Sequence, residues 1–265
     1  MAGSTPDALW SSSAVRLLQP AAVACRGLRK RAGRSWVLDG VELAVSSGAR
    51  LLLIANPEGA ASLLLRILAG IARADRGEIE LAGIRGTAGL AQRARRVAYV
   101  GPGAGPYPWM SPREALDLAG RLAELGRVDG KARIERAIGR WGLAASLDRP
   151  VRSAGPGIAQ RTAMAAALLI EPEVLLLDEP LRAVDPEERV RLLRIPGRRR
   201  TVILVSRYPA SETGAVNEIA LLRNGRVALH APLTALEARG LPLSQRGIES
   251  LADSIGGDAH HLASA

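Results

Sequence analysis

The chain has 265 residues, 48% of them hydrophobic, with a net charge of +10 and a pI near 11.0. That size supports one sizeable α/β domain with its own core, and the single cysteine, Cys25, excludes a disulfide framework and points to a reducing, cytosolic setting. Arginine supplies almost all of the positive charge, which fits an anionic partner or a coding bias towards arginine and alanine. With 3% aromatic residues and no phenylalanine there are few platforms for stacking bases, so a nucleic-acid partner is not expected.

The first residues, up to about Gln19, are small and polar and lack the basic, apolar and small-residue order of a signal peptide. From Val23 to Val45 apolar residues alternate around Asp39-Gly40, which predicts an antiparallel hairpin turning at that pair. Leu51 to Ala55 is a continuous apolar run suited to a strand buried on both faces. A loop with Pro57 and Gly59 follows, and then a helix over Leu63 to Ile71. Strand, loop and helix in that order form the architecture of a phosphate-binding loop.

A passage rich in glycine and proline, Gly101 to Pro108, leads into a helical stretch over Pro112 to Leu147, where Leu116, Leu118, Leu122 and Leu125 recur at helical spacing. Further along, the pattern predicts a helix over Ile158 to Leu169, a strand over Val174 to Leu177 and a charged helix over Pro186 to Leu193. It then predicts a buried strand over Val202 to Val205 and a hairpin at Asn224-Gly225 between Ile219–Leu222 and Val227–Leu229. From about Gly240 a short helix and a loose tail are expected. No stretch reads as a membrane span, because Thr162 to Leu177 is interrupted by Glu171, Pro172 and Glu173.

The strongest chemical signal is Val174-Leu175-Leu176-Leu177-Asp178-Glu179-Pro180, followed by Val184-Asp185-Pro186. Acids at the carboxyl end of a central strand point into the crevice where α/β sheets bind ligands. There Asp178 is placed to hold a metal, and Glu179 to orient or deprotonate a water. The acids also have a structural reading, as caps of turns.

These residues resemble the Walker B motif and D-loop of the ATP-binding cassettes of ABC transporters. Gly27-Leu28, Lys30-Arg31 and Val37-Leu38-Asp39-Gly40 are similar to that family's first hairpin. Arg66 to Gly70 with Gly77-Glu78-Ile79 resembles the segment after its phosphate loop. Tyr107-Pro108-Trp109 with Arg113-Glu114 resembles the entry to its helical subdomain, and Gln160-Arg161 with Ala165-Ala166-Ala167-Leu168 the helix after its signature. The resemblance covers roughly residues 22–235.

It implies an α/β P-loop NTPase-like fold with a mixed central sheet, an N-terminal antiparallel β subdomain and an inserted α-helical subdomain at about 106–160. A tail over 1–21 and a C-terminal helix and tail over 236–265 flank that domain. It also implies ATP and magnesium as ligands, a second cassette and transmembrane subunits as partners, and a peripheral place on the cytoplasmic face of the membrane.

The site residues depart from the family pattern. A phosphate loop reads Gly-x-x-x-x-Gly-Lys-Ser/Thr, whose glycines let N–H groups surround phosphate while the lysine neutralises it. Here the matching stretch is Ala55, Asn56, Pro57, Glu58, Gly59, Ala60, Ala61, Ser62, Leu63. Both glycines and the lysine are replaced by alanine, Glu58 adds a negative charge, and Ser62 alone keeps a hydroxyl for a metal. The family's adenine-stacking aromatic falls on Ala32, with Trp36 nearby expected to pack in the core. Its glutamine falls on Gly101-Pro102-Gly103, and its signature Leu-Ser-Gly-Gly on Ala154-Gly155-Pro156-Gly157. The switch histidine falls on Arg207, which can contact phosphate but stays charged. The resemblance with these departures implies a degenerate cassette that binds ATP and magnesium weakly or not at all, with a structural or regulatory role; the alternative is an active ATPase using non-consensus contacts.

Overall fold

The computed structural model describes residues 21–57, 59–86, 90–103, 105–197, 199–238, 240 and 243–262. The N-terminal tail before Ala21 and Glu58 of the phosphate loop lie outside the described residues.

In chain order the elements open with β1 (Ala21–Ala32), β2 (Ser35–Ser46), β3 (Arg50–Asn56) and α1 (Gly59–Leu68). Next come β4 (Arg76–Leu81), β5 (Ile84–Arg85), α2 (Leu90–Arg96) and β6 (Val97–Val100). A helical region holds α3 (Pro112–Leu122), α4 (Arg127–Trp141), α5 (Val151–Ala154) and α6 (Pro156–Leu168). The chain then runs through β7 (Val174–Asp178), α7 (Pro186–Leu193), β8 (Thr201–Val205) and α8 (Pro209–Glu212). It closes with β9 (Glu218–Arg223), β10 (Arg226–Pro232), α9 (Leu233–Glu237) and α10 (Gln245–Leu262).

Two sheets organise these elements. The first is antiparallel, in the order β2-β1-β4-β5. The second runs β10-β9-β3-β8-β7-β6 and is mixed, with β9, β3, β8, β7 and β6 parallel and β10 antiparallel at the edge. The apolar runs become its centre, since every residue of β7 and β8 is buried. Alternation on β3 splits the core: Leu51, Leu53 and Ala55 pack with α1 and the first sheet, whereas Leu52 and Ile54 pack with Trp141, Leu143 and Met164 of the helical side. The α/β fold and its sheet types agree with the sequence reading.

Helix α3 starts where its sequence dictates. Ser111 accepts from the Glu114 N–H at 3.2 Å while Glu114 accepts from the Ser111 N–H at 2.8 Å, with Pro112 in the first turn. Asn224 and Gly225 have φ of 49° and 74°, as a two-residue hairpin turn requires.

Asp39-Gly40 is different. The first hairpin turns at Gly33 (φ 60°) and Arg34, between the paired Ala32 and Ser35. Leu28 pairs with Val41 and Arg29 with Asp39, so Gly40 (φ 84°) is the extra residue of a bulge. The reason is tertiary: the Asp39 N–H donates to the Gly225 carbonyl at 2.8 Å, and its carboxylate pairs with Arg29 and Arg226, each at 3.3 Å. That contact joins the two sheets through the second hairpin.

Two other expectations change. Trp36 is half-buried and not in the core, with the Arg31 guanidinium 4.2 Å from its ring centre. The C-terminal helix is not short: α10 has 18 residues, and Ile248 and Leu251 anchor it in the core at 2% and 5% exposure. Among the described residues no helix is long and apolar enough to cross a membrane.

Candidate functional site

The carboxyl ends of β3, β7 and β8 converge on one crevice, because parallel strands feed their following loops to the same edge. Strand β3 delivers Asn56 and the start of α1, β7 delivers Asp178 and Glu179, and β8 delivers Ser206 and Arg207. The sequence-derived phosphate loop and acid pair therefore do meet.

Ser62, one turn into α1, donates from Oγ to Asp178 Oδ1 at 2.9 Å. Tyr99 of β6 donates from its hydroxyl to Asp178 Oδ2 at 3.3 Å. The aspartate is 1% exposed. Burial pushes its carboxyl above the usual carboxylate range, against the pull of the Ser62 and Tyr99 hydrogen bonds and the Arg66 charge. Tyr99 is pushed up to about 12, first by burial and then by the Asp178 charge and hydrogen bond. Its ring also fixes the segment that follows, since a Cβ on Gly101 would stand 2.7 Å from the Tyr99 hydroxyl.

Glu179 sits at φ 50°, held by its N–H donating to the Val205 carbonyl at 3.0 Å. Its side chain is 12% exposed, and burial raises its pKa. Arg207 Nε lies 3.7 Å from Glu179 Oε1, so the residue at the switch-histidine position does reach the acid pair. Beneath them Arg189 and Glu212 form a buried ion pair at 2.7 Å, and Ser206 Oγ donates to Glu212 at 3.2 Å.

Ala60 and Ala61 are 1% and 0% exposed, packed among Leu64, Leu65 and the first sheet. Leu63 is partly buried beside them. The remaining cavity measures about 160 Å³ and is lined by Gly59, Ser62, Pro102, Asp178, Glu179 and Arg207, with Gln245 of α10. Small-molecule sites commonly occupy about 300–1,000 Å³. Asn56 Nδ2 donates to Glu249 Oε1 at 3.1 Å, and Gln245 Nε2 donates to the same oxygen at 3.0 Å. Arg223 pairs with Asp253 on the same helix. The sequence reading missed Tyr99, Gln245 and Glu249. Tyr99 lies in an apolar strand, Val97-Ala98-Tyr99-Val100, with no alternation to mark it, and no local signal ties Glu249 to Asn56.

The signature position opens α6. Gly155 takes φ 94° as its N-cap without a side-chain cap, and Pro156 occupies the first turn. A Cβ on Gly157 would come within 3.3 Å of the Ala183 carbonyl, and Gln160 Oε1 accepts from the Ala183 N–H at 2.9 Å. This helix is thereby braced on the loop that carries Asp185. Asp185 itself stands exposed at the N-cap of α7, and its side chain makes no cap hydrogen bond. Turn capping therefore does not account for this acid; only its carbonyl serves, accepting from the Arg189 N–H at 2.8 Å.

A family model described as ABC transporter matches residues 38–182. The chain belongs to the ABC transporter ATP-binding cassette family. It is 31% identical over 222 residues to the daunorubicin resistance ATP-binding protein DrrA3 of Streptomyces coeruleorubidus, covering 82% of this chain and 70% of that protein. Identity is 32% over 224 residues to the aliphatic sulfonates import ATP-binding protein SsuB 1 of Frankia alni, covering 82% and 77%. A dimeric post-hydrolysis structure of the cassette MJ0796 bound to ADP and Pi superposes with a TM-score of 0.71 at 20% identity, over 80% of this chain and 98% of that one. An ATP-binding subunit of an ABC transporter gives 0.73 at 22% identity, over 88% and 99%. These structural likenesses carry the cassette fold.

Proposed function

We propose that this cassette is a pseudo-ATPase: a subunit with a structural or regulatory role beside membrane subunits and a second cassette, on the cytoplasmic face of the membrane. The observation that carries the proposal is the crevice itself. The buried Ala61 methyl stands where a lysine would neutralise phosphate, and a cavity of about 160 Å³ remains under Gln245. Ser62 and Asp178, the two residues placed to hold magnesium, are already hydrogen-bonded to each other. Gly101, Pro102 and Gly103 carry no side chain that can position water. The residues present therefore do not fit a magnesium nucleotide, and no hydrolytic step is assigned to them. Glu249 further places a carboxylate on the loop that would receive phosphate.

A groove beside the helical region supports the docking role. Tyr107 and Trp109 are 60% and 63% exposed and stack at 4.9 Å between ring centres. Tyr107, Met110, Leu118 and Leu122 line an adjoining cleft of about 430 Å³. Exposed aromatics over an apolar cleft suit a partner's inserted helix. Trp109→Ala is expected to weaken retention of a co-expressed membrane partner at least tenfold, read by co-purification, with unchanged thermal stability.

The second reading, an ATPase with unusual contacts, draws on Arg207 beside Glu179. Phosphate release by the purified chain, measured against Glu179→Gln, decides between them. Equal background in both proteins supports the pseudo-ATPase, and turnover abolished by the substitution supports the second reading.

A further inference from the structure

A second cleft lies away from the nucleotide crevice, between the first sheet and the far end of α1. It measures about 710 Å³, within the range of small-molecule sites. Residues Ile67 and Gly70 bound it, whereas the crevice is bounded by Gly59 and Ser62; along α1 the nearest of these, Ser62 and Ile67, stand about 7.5 Å apart on the helix axis.

Arginines face this cleft from several elements: Arg26 from β1, Arg73 from the loop after α1, Arg85 from β5 and Arg93 from α2. Arg93 is decisive. It is 6% exposed, and its Nε and Nη2 are buried with no hydrogen-bond partner among the described residues. Its neighbours on the same helix both find carboxylates, Arg95 with Glu124 at 2.8 Å and Arg96 with Glu173 at 2.6 Å. Arg93 turns inward and finds none among the described residues. A buried guanidinium without a counter-charge is costly, and natural proteins keep one where it pairs with something. Burial also depresses the Arg93 pKa, as expected for a desolvated cation.

The acids at the cleft do not satisfy it. Glu80 is taken by Arg85 at 2.8 Å, and Glu78 is an exposed residue opposite Arg26 in the β1–β4 register. That leaves an excess of positive charge over a partly apolar wall of Ala24, Ala72, Ala74 and Ile79. Gly77 keeps the cleft's backbone wall tight, since a Cβ there would stand 2.6 Å from the Gly27 carbonyl and Leu28 Cα. No aromatic ring lines the cleft among the described residues, so nothing is present to stack a base.

We infer that this cleft binds a phosphate-bearing small molecule with an apolar portion, its oxyanion paired with the buried Arg93 and steered by Arg26 and Arg73. Guanidinium forks match phosphate oxygens in a way a single ammonium does not. The site is independent of whether the nucleotide crevice is active.

The test uses the full chain titrated with inorganic phosphate and with hexyl phosphate, by calorimetry and thermal unfolding. Hexyl phosphate is expected to bind one per chain, more tightly than inorganic phosphate, and to raise the melting temperature. Arg93→Met should lower that affinity at least tenfold and should be as stable as the wild type without ligand, because it removes an unpaired buried charge. Arg26→Ser with Arg73→Ser, both at exposed positions, should weaken binding several-fold and provides the test if Arg93→Met misfolds. Ser62→Ala should bind as the wild type does. Flotation with phosphatidate vesicles separates the sources of the phosphate: co-flotation lost in Arg93→Met assigns a lipid headgroup, and hexyl phosphate binding without co-flotation assigns a soluble ligand. Absence of binding, undiminished binding in Arg93→Met and the double variant, or loss only in Ser62→Ala would each overturn the inference.

Discussion

Replacing Glu212 with alanine strands the Arg189 guanidinium in the interior. The two side chains are 7% and 1% exposed and meet at 2.7 Å. Glu212 also accepts from Ser206 Oγ at 3.2 Å, and Ser206 in turn accepts from the Tyr208 N–H at 3.1 Å. The Arg189 guanidinium lies 5.3 Å from the Tyr208 ring centre. This network fixes the turn that carries Arg207 towards Glu179. Breaking one side of a buried pair costs about 3–5 kcal/mol, because the remaining charge is left desolvated. At about 2–4 °C per kcal/mol for a domain approaching this size, Glu212→Ala should lower the melting temperature by roughly 6–20 °C. Arg189→Met with Glu212→Leu removes both charges together and should return within about 1 kcal/mol of the wild type or exceed it. Scanning calorimetry of the two single variants and the double variant gives the coupling energy. A loss below about 1 kcal/mol in Glu212→Ala would refute the reasoning, since it would mean that water or another group takes over the pairing.

Asp178 and Glu179 both have carboxyls raised by burial above the ordinary 3.8 and 4.5. The folded state therefore binds more protons than the unfolded chain, and stability should fall as pH rises from those ordinary values through the raised folded ones. Asp178→Asn keeps an acceptor for Ser62 and a partner for Tyr99; it should be neutral or stabilising by about 0.5–2 kcal/mol at pH 7 and should flatten that slope in urea unfolding. A marked destabilisation would show that the charge is needed. Ile248→Ala removes the apolar anchor of α10 and should cost about 2–5 kcal/mol by denaturant unfolding, with faster amide exchange at Asn56. A change under about 0.5 kcal/mol would mean that α10 is not docked on the loop.

Where pattern and chemistry are local, the sequence was readable. The apolar runs of β3, β7 and β8, the turn at Asn224-Gly225 and the acids at the end of β7 follow from side-chain period and strand polarity alone. Asp39-Gly40 carries the same turn chemistry as Asn224-Gly225, yet it forms a bulge, because its partner is Gly225, 186 residues along the chain. Trp36 sits on a strand but is covered by Arg31 instead of the core. The closing of the crevice by α10 rests on Asn56 and Glu249, 193 residues apart, and no window of sequence joins them. Asp185 shows the opposite limit, since its motif was plain while its side chain takes no part in capping the helix it precedes.

The most direct test of the account is a calorimetric titration of the purified chain with ATP and magnesium. With Ala61 buried in place of a phosphate-binding lysine and Glu249 on the loop, the account predicts no saturable binding tighter than about 1 mM, roughly −4 kcal/mol. Saturable micromolar binding that depends on Ser62 and Asp178 would contradict it.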